Sequence, residues 1–166
     1  MERSHKLAAL ALFALAACTP PSTQAPVDTA ADIAAINAVR EREVAALHSG
    51  NIDSALAVYT ADVQMMSPNE PILVGATALR AWFENFLATA TVSARYTSSV
   101  VDVSGDLAVD RYTGELTFTP KAAGAAPMTE IIKGVHVMRR QADGSWRIAQ
   151  DVWNSDAPPP PPPPAK

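Results

Sequence analysis

Two side chains near the C-terminal end of the sequence, His136 and Asp151, are of the types that move protons, and their spacing can bring them together. Histidine is the side chain whose ordinary pKa lies nearest neutral pH, and a carboxylate beside it orients and charges the ring, a general-base arrangement. Residues 129–140 and 146–153 read as strands, with Ala142-Asp143-Gly144 between them as a hairpin turn. With that triplet in the turn, Arg139 pairs with Trp146, His136 falls opposite Ala149, and Gly134 faces Asp151. Side chains alternate along a strand, so His136 and Asp151 then share a face as diagonal neighbours, roughly 7–8 Å apart at the backbone. An imidazole and a carboxylate span that gap directly or through one water. Ile132 and Trp153 share the face and would lower the local dielectric, and Asp110 and Tyr112, alternate residues of the preceding strand, point toward the same space. The competing reading is structural. A His–Asp pair on neighbouring strands is more often a satisfied hydrogen bond, and a one-residue slip in register would separate the pair.

The other residue with chemistry of its own is Cys18, the single cysteine. Arg3, His5 and Lys6 precede an unbroken apolar run, Leu7 to Ala17. Eleven residues are too few to cross a hydrocarbon core as a helix, which takes roughly 20, but they suit a secretory signal. Leu15-Ala16-Ala17-Cys18 resembles the bacterial lipobox, which implies diacylglycerol on Cys18 and a mature chain starting there. An ordinary signal peptide with a chance cysteine is the alternative. Thr19 follows, with no Asp to imply inner-membrane retention, so the expected location is the outer membrane facing the periplasm, with lipid as the only membrane attachment.

Several chemistries find little support. Histidines at 5, 48 and 136, the first within the signal, cannot build a multi-histidine metal site, and one cysteine excludes a disulfide or thiolate cluster. No metal or other cofactor is expected. The seven glycines are scattered, with no phosphate loop. The formal charge of −4 becomes −5 without residues 1–17, which carry Arg3, Lys6 and Glu2. With no basic face, nucleic acid is not an expected partner. Arg139-Arg140 is the densest basic spot and reads as solvated charge at a strand end.

The elements that must position these residues follow from periodicity. Residues 1–17 are the signal peptide, and 18–27 the lipidated cysteine with a proline-rich tether. Residues 28–156 form one folded domain, and 157–166 a tail with prolines from Pro158 to Pro164. Helical spacing of Ile33, Ile36, Val39/Arg40, Val44 and Leu47 predicts a helix over Thr29–Ser49, stopped by Gly50. A shorter helix is expected from Ile52 to Tyr59, burying Leu56 and Tyr59, then a strand over Val63–Ser67. Gly75 opens a helix whose stripe is Leu79, Trp82, Phe83, Phe86 and Leu87, more often core than ligand box. Strands follow at 92–103, 106–119, 129–140 and 146–153. The fold class is α+β, with helices packed in a curved antiparallel sheet. Asp53 and Asp62 read as helix-end or turn residues, and Arg111, Glu115 and Lys133 as an exposed strand face.

Gly50-Asn51-Ile52-Asp53, then Leu56 to Val63, Gly75 before the aromatic helix, and Trp146 through Trp153-Asn154-Ser155-Asp156 narrow the choice. This pattern resembles the SnoaL-like, ketosteroid-isomerase-like group of the nuclear-transport-factor-two-like superfamily over residues 30–156, especially an uncharacterised branch ending in Trp-Asn-Ser. The resemblance implies a cone-shaped domain, an apolar pocket between sheet and helices, and dimerisation through the sheet. It implies no particular reaction. Ketosteroid isomerases use an Asp base, which in the family pattern precedes a proline. Here Ser67 precedes Pro68, and a serine hydroxyl cannot take a proton from a carbon acid unaided.

Two functions remain open. One is a small-molecule binder, or weak isomerase- or dehydratase-like enzyme, for an apolar compound. His136 and Asp151 would be catalytic, and Tyr59, Trp82, Phe86, Asp110, Tyr112 and Trp153 would line the pocket. The other is a non-catalytic dimerisation or interaction module whose pocket is plugged by Trp82, Phe86 and Trp153.

Overall fold

Helix α1 (Thr29–Ser49) covers the span its periodicity predicts, but it buries a different face. Asp32, Ile36, Val39, Glu43 and Ala46 are buried, while Ile33, Val44 and Leu47 are only partly so. This stripe also has helical spacing. Two of its five members are acids, so hydrophobicity alone rotates the helix away from it. Asp32 is held by both terminal guanidinium nitrogens of Arg140, at 2.6 and 2.7 Å, and by the Trp146 indole at 3.2 Å. Buried charge persists only when paired in this way. Arg140 is therefore not the solvated strand-end charge the sequence implied, and its guanidinium also lies over the Trp146 ring.

This computed structural model describes residues 29–156. The segments expected to be signal and tether, Cys18 between them, and the proline-rich C-terminal residues lie outside the described residues. Helix α2 (Ile52–Leu56) is capped by Asn51, whose side chain accepts from the Ser54 amide at 3.0 Å. It stops short of Tyr59, which instead opens strand β1 (Tyr59–Met66). Val58, Tyr59 and Thr60 are β-branched or aromatic, and the Ile148 amide donates to the Val58 carbonyl at 2.9 Å, drawing the segment into the sheet. Asp62 thus lies within a strand rather than at a turn, with Arg139 donating to both its oxygens.

Strand β2 (Leu73–Val74) is too short to leave a periodic signal. Gly75, at φ 85°, starts helix α3 (Ala76–Thr89) in a conformation that favours glycine. Strands β3 (Ala90–Ser104), β4 (Leu107–Pro120), β5 (Met128–Arg140) and β6 (Trp146–Ser155) complete the chain. The six-stranded order is β2-β1-β6-β5-β4-β3. The sheet is curved and unclosed, with the helices packed on its inner face. It is not wholly antiparallel. β1 and β6 run parallel, which the long intervening chain permits. Ile36, Val39, Val63, Leu79, Phe83, Met138 and Ile148 form the centre of the core.

The β5–β6 register departs from expectation twice. Trp146 pairs with Arg140 rather than Arg139, because the Gln141–Ser145 loop closes through Gln141 N–H to Ser145 O at 2.7 Å. A bulge at Ala149 then puts Met138 opposite Ile148 and Val137 opposite Gln150. Two one-residue shifts restore the original face. His136 therefore sits directly opposite Asp151, and Gly134 opposite Trp153.

Candidate functional site

One row of the sheet carries the ionisable centre. Val101, Asp110, His136, Asp151 and Met65 are neighbours across β3, β4, β5, β6 and β1 in turn. Strands lie about 4.8 Å apart, so neighbours in a row are within side-chain reach. His136 is 1% exposed at the middle of the row. Its Nδ1 lies 3.7 Å from Asp110 Oδ2, and its Nε2 lies 3.5 Å from Asp151 Oδ1 and 3.9 Å from Glu43 Oε2. Nε2 makes no hydrogen bond among the described residues.

Each surrounding carboxylate is anchored. Asp110 accepts from Ser99 Oγ at 2.6 Å and from Arg40 Nε at 3.0 Å. Glu43 accepts from the Tyr59 hydroxyl at 2.7 Å and the Tyr96 hydroxyl at 2.6 Å. The hydroxyls of Tyr59 and Tyr112 each approach Asp151 at 3.4 Å. The Tyr112 ring lies against His136, with centroids 4.6 Å apart.

Burial alone would lower the His136 pKa, but the charges of Glu43 and Asp151, with Asp110 beside Nδ1, win and push it up to about 10. Burial pushes Glu43 up from its ordinary value. The nearby Asp151 charge adds to this, while His136 and the two tyrosine hydroxyls offset it in part. Burial also works against an ionised Asp110, yet the imidazole, Ser99 and Arg40 hold it below the usual carboxylate range. Burial and the adjacent carboxylates raise Tyr59, Tyr96 and Tyr112, keeping all three as hydroxyl donors.

A cavity of about 220 Å³ opens in front of this centre, bounded by α1, α3 and the inner face of the sheet. Glu43 and Asp151 supply its charged inner end, with the three tyrosines around them. Trp82, Phe86, Phe118 and Trp153 are among its apolar walls. Trp82 and Phe86 stack at 5.1 Å, and the Trp82 indole donates to Glu70 at 2.9 Å, so these rings stand along the wall rather than plugging the space. Ser67, which the resemblance sets at the position of the isomerase base, lines the cavity with its hydroxyl buried and without a hydrogen-bond partner among the described residues.

The structure thus places Tyr59, Trp82, Phe86, Tyr112, Asp151 and Trp153 on the cavity. Asp110 and His136, expected there too, are not among its lining residues and stand behind it. The cause is depth: Asp110 and His136 are each covered to 1% exposure, leaving Glu43 and Asp151 in front. Sequence reasoning missed Glu43, Tyr96 and Arg40. The 32-36-39-43-46 spacing was the available signal for Glu43, and alternation through Val92, Ala94 and Tyr96 for the tyrosine.

The family model described as a SnoaL-like domain matches residues 41–149. The chain belongs to the SnoaL-like domain family. Solved structures agree with this. A ketosteroid isomerase-like protein from Erwinia carotovora atroseptica is 26% identical, covering 76% of this chain and 98% of its own, with a TM-score of 0.67. An NTF2-like superfamily protein from Salmonella enterica serovar Typhimurium is 12% identical, covering 78% and 94%, at 0.71. A candidate dehydratase of the NTF2-like family from Streptomyces avermitilis is 18% identical, covering 78% and 99%, at 0.68. No curated protein matches the chain. The SnoaL-like fold explains the cone and its pocket, while the charged row defines what this member can do with it.

Proposed function

We propose that this SnoaL-like domain binds a small, largely apolar molecule of one or two rings and acts on an oxygen of it by isomerase- or dehydratase-like proton transfer. The observation that carries this reading is the asymmetry of the cavity: aromatic walls, with the two buried carboxylates, Glu43 and Asp151, together at one end, while the third acid on its lining, Glu70, is exposed and accepts from the Trp82 indole. Its volume supports the size. An apolar cavity of about 150 Å³ takes up benzene, and this one has about 220 Å³. Asp151 accepts a hydrogen bond from the ligand or removes a proton. Glu43, whose affinity for protons burial increases, returns one. His136 stands behind Asp151, with Nε2 3.5 Å from its Oδ1, and orients it toward the cavity.

The test is a thermal-shift survey of small ring compounds on the full chain treated with chelator. A pocket ligand must raise the melting temperature by mass action. A panel of aromatic and alicyclic alcohols and ketones without any effect would leave the interaction module as the better reading.

A specific observation favours that second reading as an additional role. The outer face of the sheet exposes Val100, Val109, Ile131 and Val152, which suits a homodimer with the pockets facing away from the contact. We further propose that Cys18 carries lipid and holds the domain at the outer membrane, facing the periplasm. The Leu15–Cys18 segment supports this, and among the described residues no helix is long and apolar enough to cross a membrane.

A further inference from the structure

The inner end of the pocket has the donor set of a metal centre as well as that of an acid–base site. Glu43, His136 and Asp151 each offer one ligand atom, all within 4.8 Å of one another, and all three residues are buried. The separations from His136 Nε2, 3.5 Å to Asp151 and 3.9 Å to Glu43, are close to what one small cation requires. Ligands held at about 2.0–2.2 Å from zinc stand roughly 3–4 Å from each other. Oriented carboxylates alone would not mark a site. The second observation is Nε2 itself: a buried ring nitrogen aimed between two carboxylates and making no hydrogen bond there.

The surroundings match what a metal-binding histidine needs. Such a residue directs its other ring nitrogen at a carboxylate, which fixes the tautomer and the ring plane. Here Nδ1 faces Asp110, itself fixed by Ser99 and Arg40. The ligating carboxylates would be oriented in turn by Tyr59, Tyr96 and Tyr112. Glu43 and Asp151 also line the cavity, so a fourth position opens toward a bound molecule. Three protein ligands with one open position is the catalytic rather than the structural zinc pattern.

We propose that Glu43, His136 and Asp151 bind one divalent transition-metal ion, with zinc the best fit to one imidazole and two carboxylates, leaving a coordination position open to the pocket. The site overlaps the one assigned above, and an ion there would polarise the ligand oxygen directly. The two readings nevertheless fail separately, because ion binding is read without any organic ligand and the ring-compound survey without metal.

The experiment is titration of the full, chelator-treated and desalted chain with zinc by calorimetry, and with cobalt by visible absorption. The expected result is one ion per chain, with the absorption of cobalt in a low-symmetry nitrogen–oxygen site. Asp151→Asn and Glu43→Gln each remove a direct ligand and should weaken zinc binding by more than the about 10–100-fold that loss of an outer-shell partner costs. His48→Gln, which alters the only other described histidine, an exposed one, should leave it unchanged. If either ligand variant unfolds, the remaining one and the cobalt spectrum of the unsubstituted chain decide. No saturable uptake, binding equal in the ligand variants, or loss in His48→Gln would each overturn the proposal.

Discussion

At the scale of single residues, His136 has more consequences than any other side chain described. It is the cation that lets three carboxylates share a buried site. Removing one partner from a buried ionic cluster typically costs about 3–5 kcal/mol, because the remaining charges are left uncompensated. His136→Gln should therefore lower unfolding free energy by about that much in urea at neutral pH. A loss below about 1 kcal/mol would mean that the imidazole carries no charge in the fold. The pH dependence has a definite sign. A histidine raised from 6.5 to about 10 stabilises the metal-free fold fully below pH 6.5, and that contribution disappears as pH climbs through about 10. Glu43, also raised, acts in the same direction. Asp110, lowered, contributes above its ordinary 3.8 and loses its contribution as the solution is acidified. The urea midpoint of chelator-treated protein should therefore fall between pH 6.5 and 10, with a shallower fall in His136→Gln. Equal slopes in the two proteins would contradict the ion cluster.

At the scale of elements, the sequence was informative where side chains follow periodicity and uninformative where they oppose it. The bounds of α1 and the four long strands were legible from apolar spacing and from turn residues such as Gly50, Gly105 and Asp143-Gly144. The buried face of α1 was not, because Asp32 and Glu43 lie on it and their partners, Arg140 and Tyr96, are distant in sequence. The His136–Asp151 face was read correctly from a register that was wrong by two residues. Neither the extra loop residue nor the bulge at Ala149 has a strong sequence signal, and only their even sum saved the face. Gly134 shows how closely the strands must fit. A Cβ there would lie 2.4 Å from the Tyr112 hydroxyl oxygen and 2.6 Å from the Val152 carbonyl oxygen. Gly134→Ala should push Tyr112 off His136 and cost about 1–3 kcal/mol, the usual range for overpacking. Denaturant unfolding, together with the tyrosine resonances, measures both effects. An unchanged Tyr112 environment would mean that the ring does not occupy this position.

For the whole molecule, the expected division of labour is an anchor, a tether, one folded domain and a tail. Cys18→Ala should leave an unprocessed precursor that incorporates no labelled fatty acid, and equal incorporation by both forms would end the lipoprotein assignment. Removing residues from Pro158 onward should change stability by less than about 0.5 kcal/mol if, as the sequence implies, the tail stands outside the folded domain. A large loss would show that it packs on the domain. The outer sheet face can be tested by sedimentation. Val109→Lys, on an exposed strand position, should convert a dimer to monomer without changing the pocket. The central claim joins these scales, because the fold's apolar cavity ends at one charged row and so should distinguish ligands by a single polar atom. Calorimetry of phenol against toluene, on chelator-treated protein, measures this most directly. A hydrogen bond to a charged group is worth about 1.5–3 kcal/mol, so phenol should bind at least about tenfold more tightly, an advantage that shrinks in Asp151→Asn. Equal affinities for phenol and toluene, or the same phenol advantage in Asp151→Asn, would contradict the assignment of Asp151 as the group that reads the ligand.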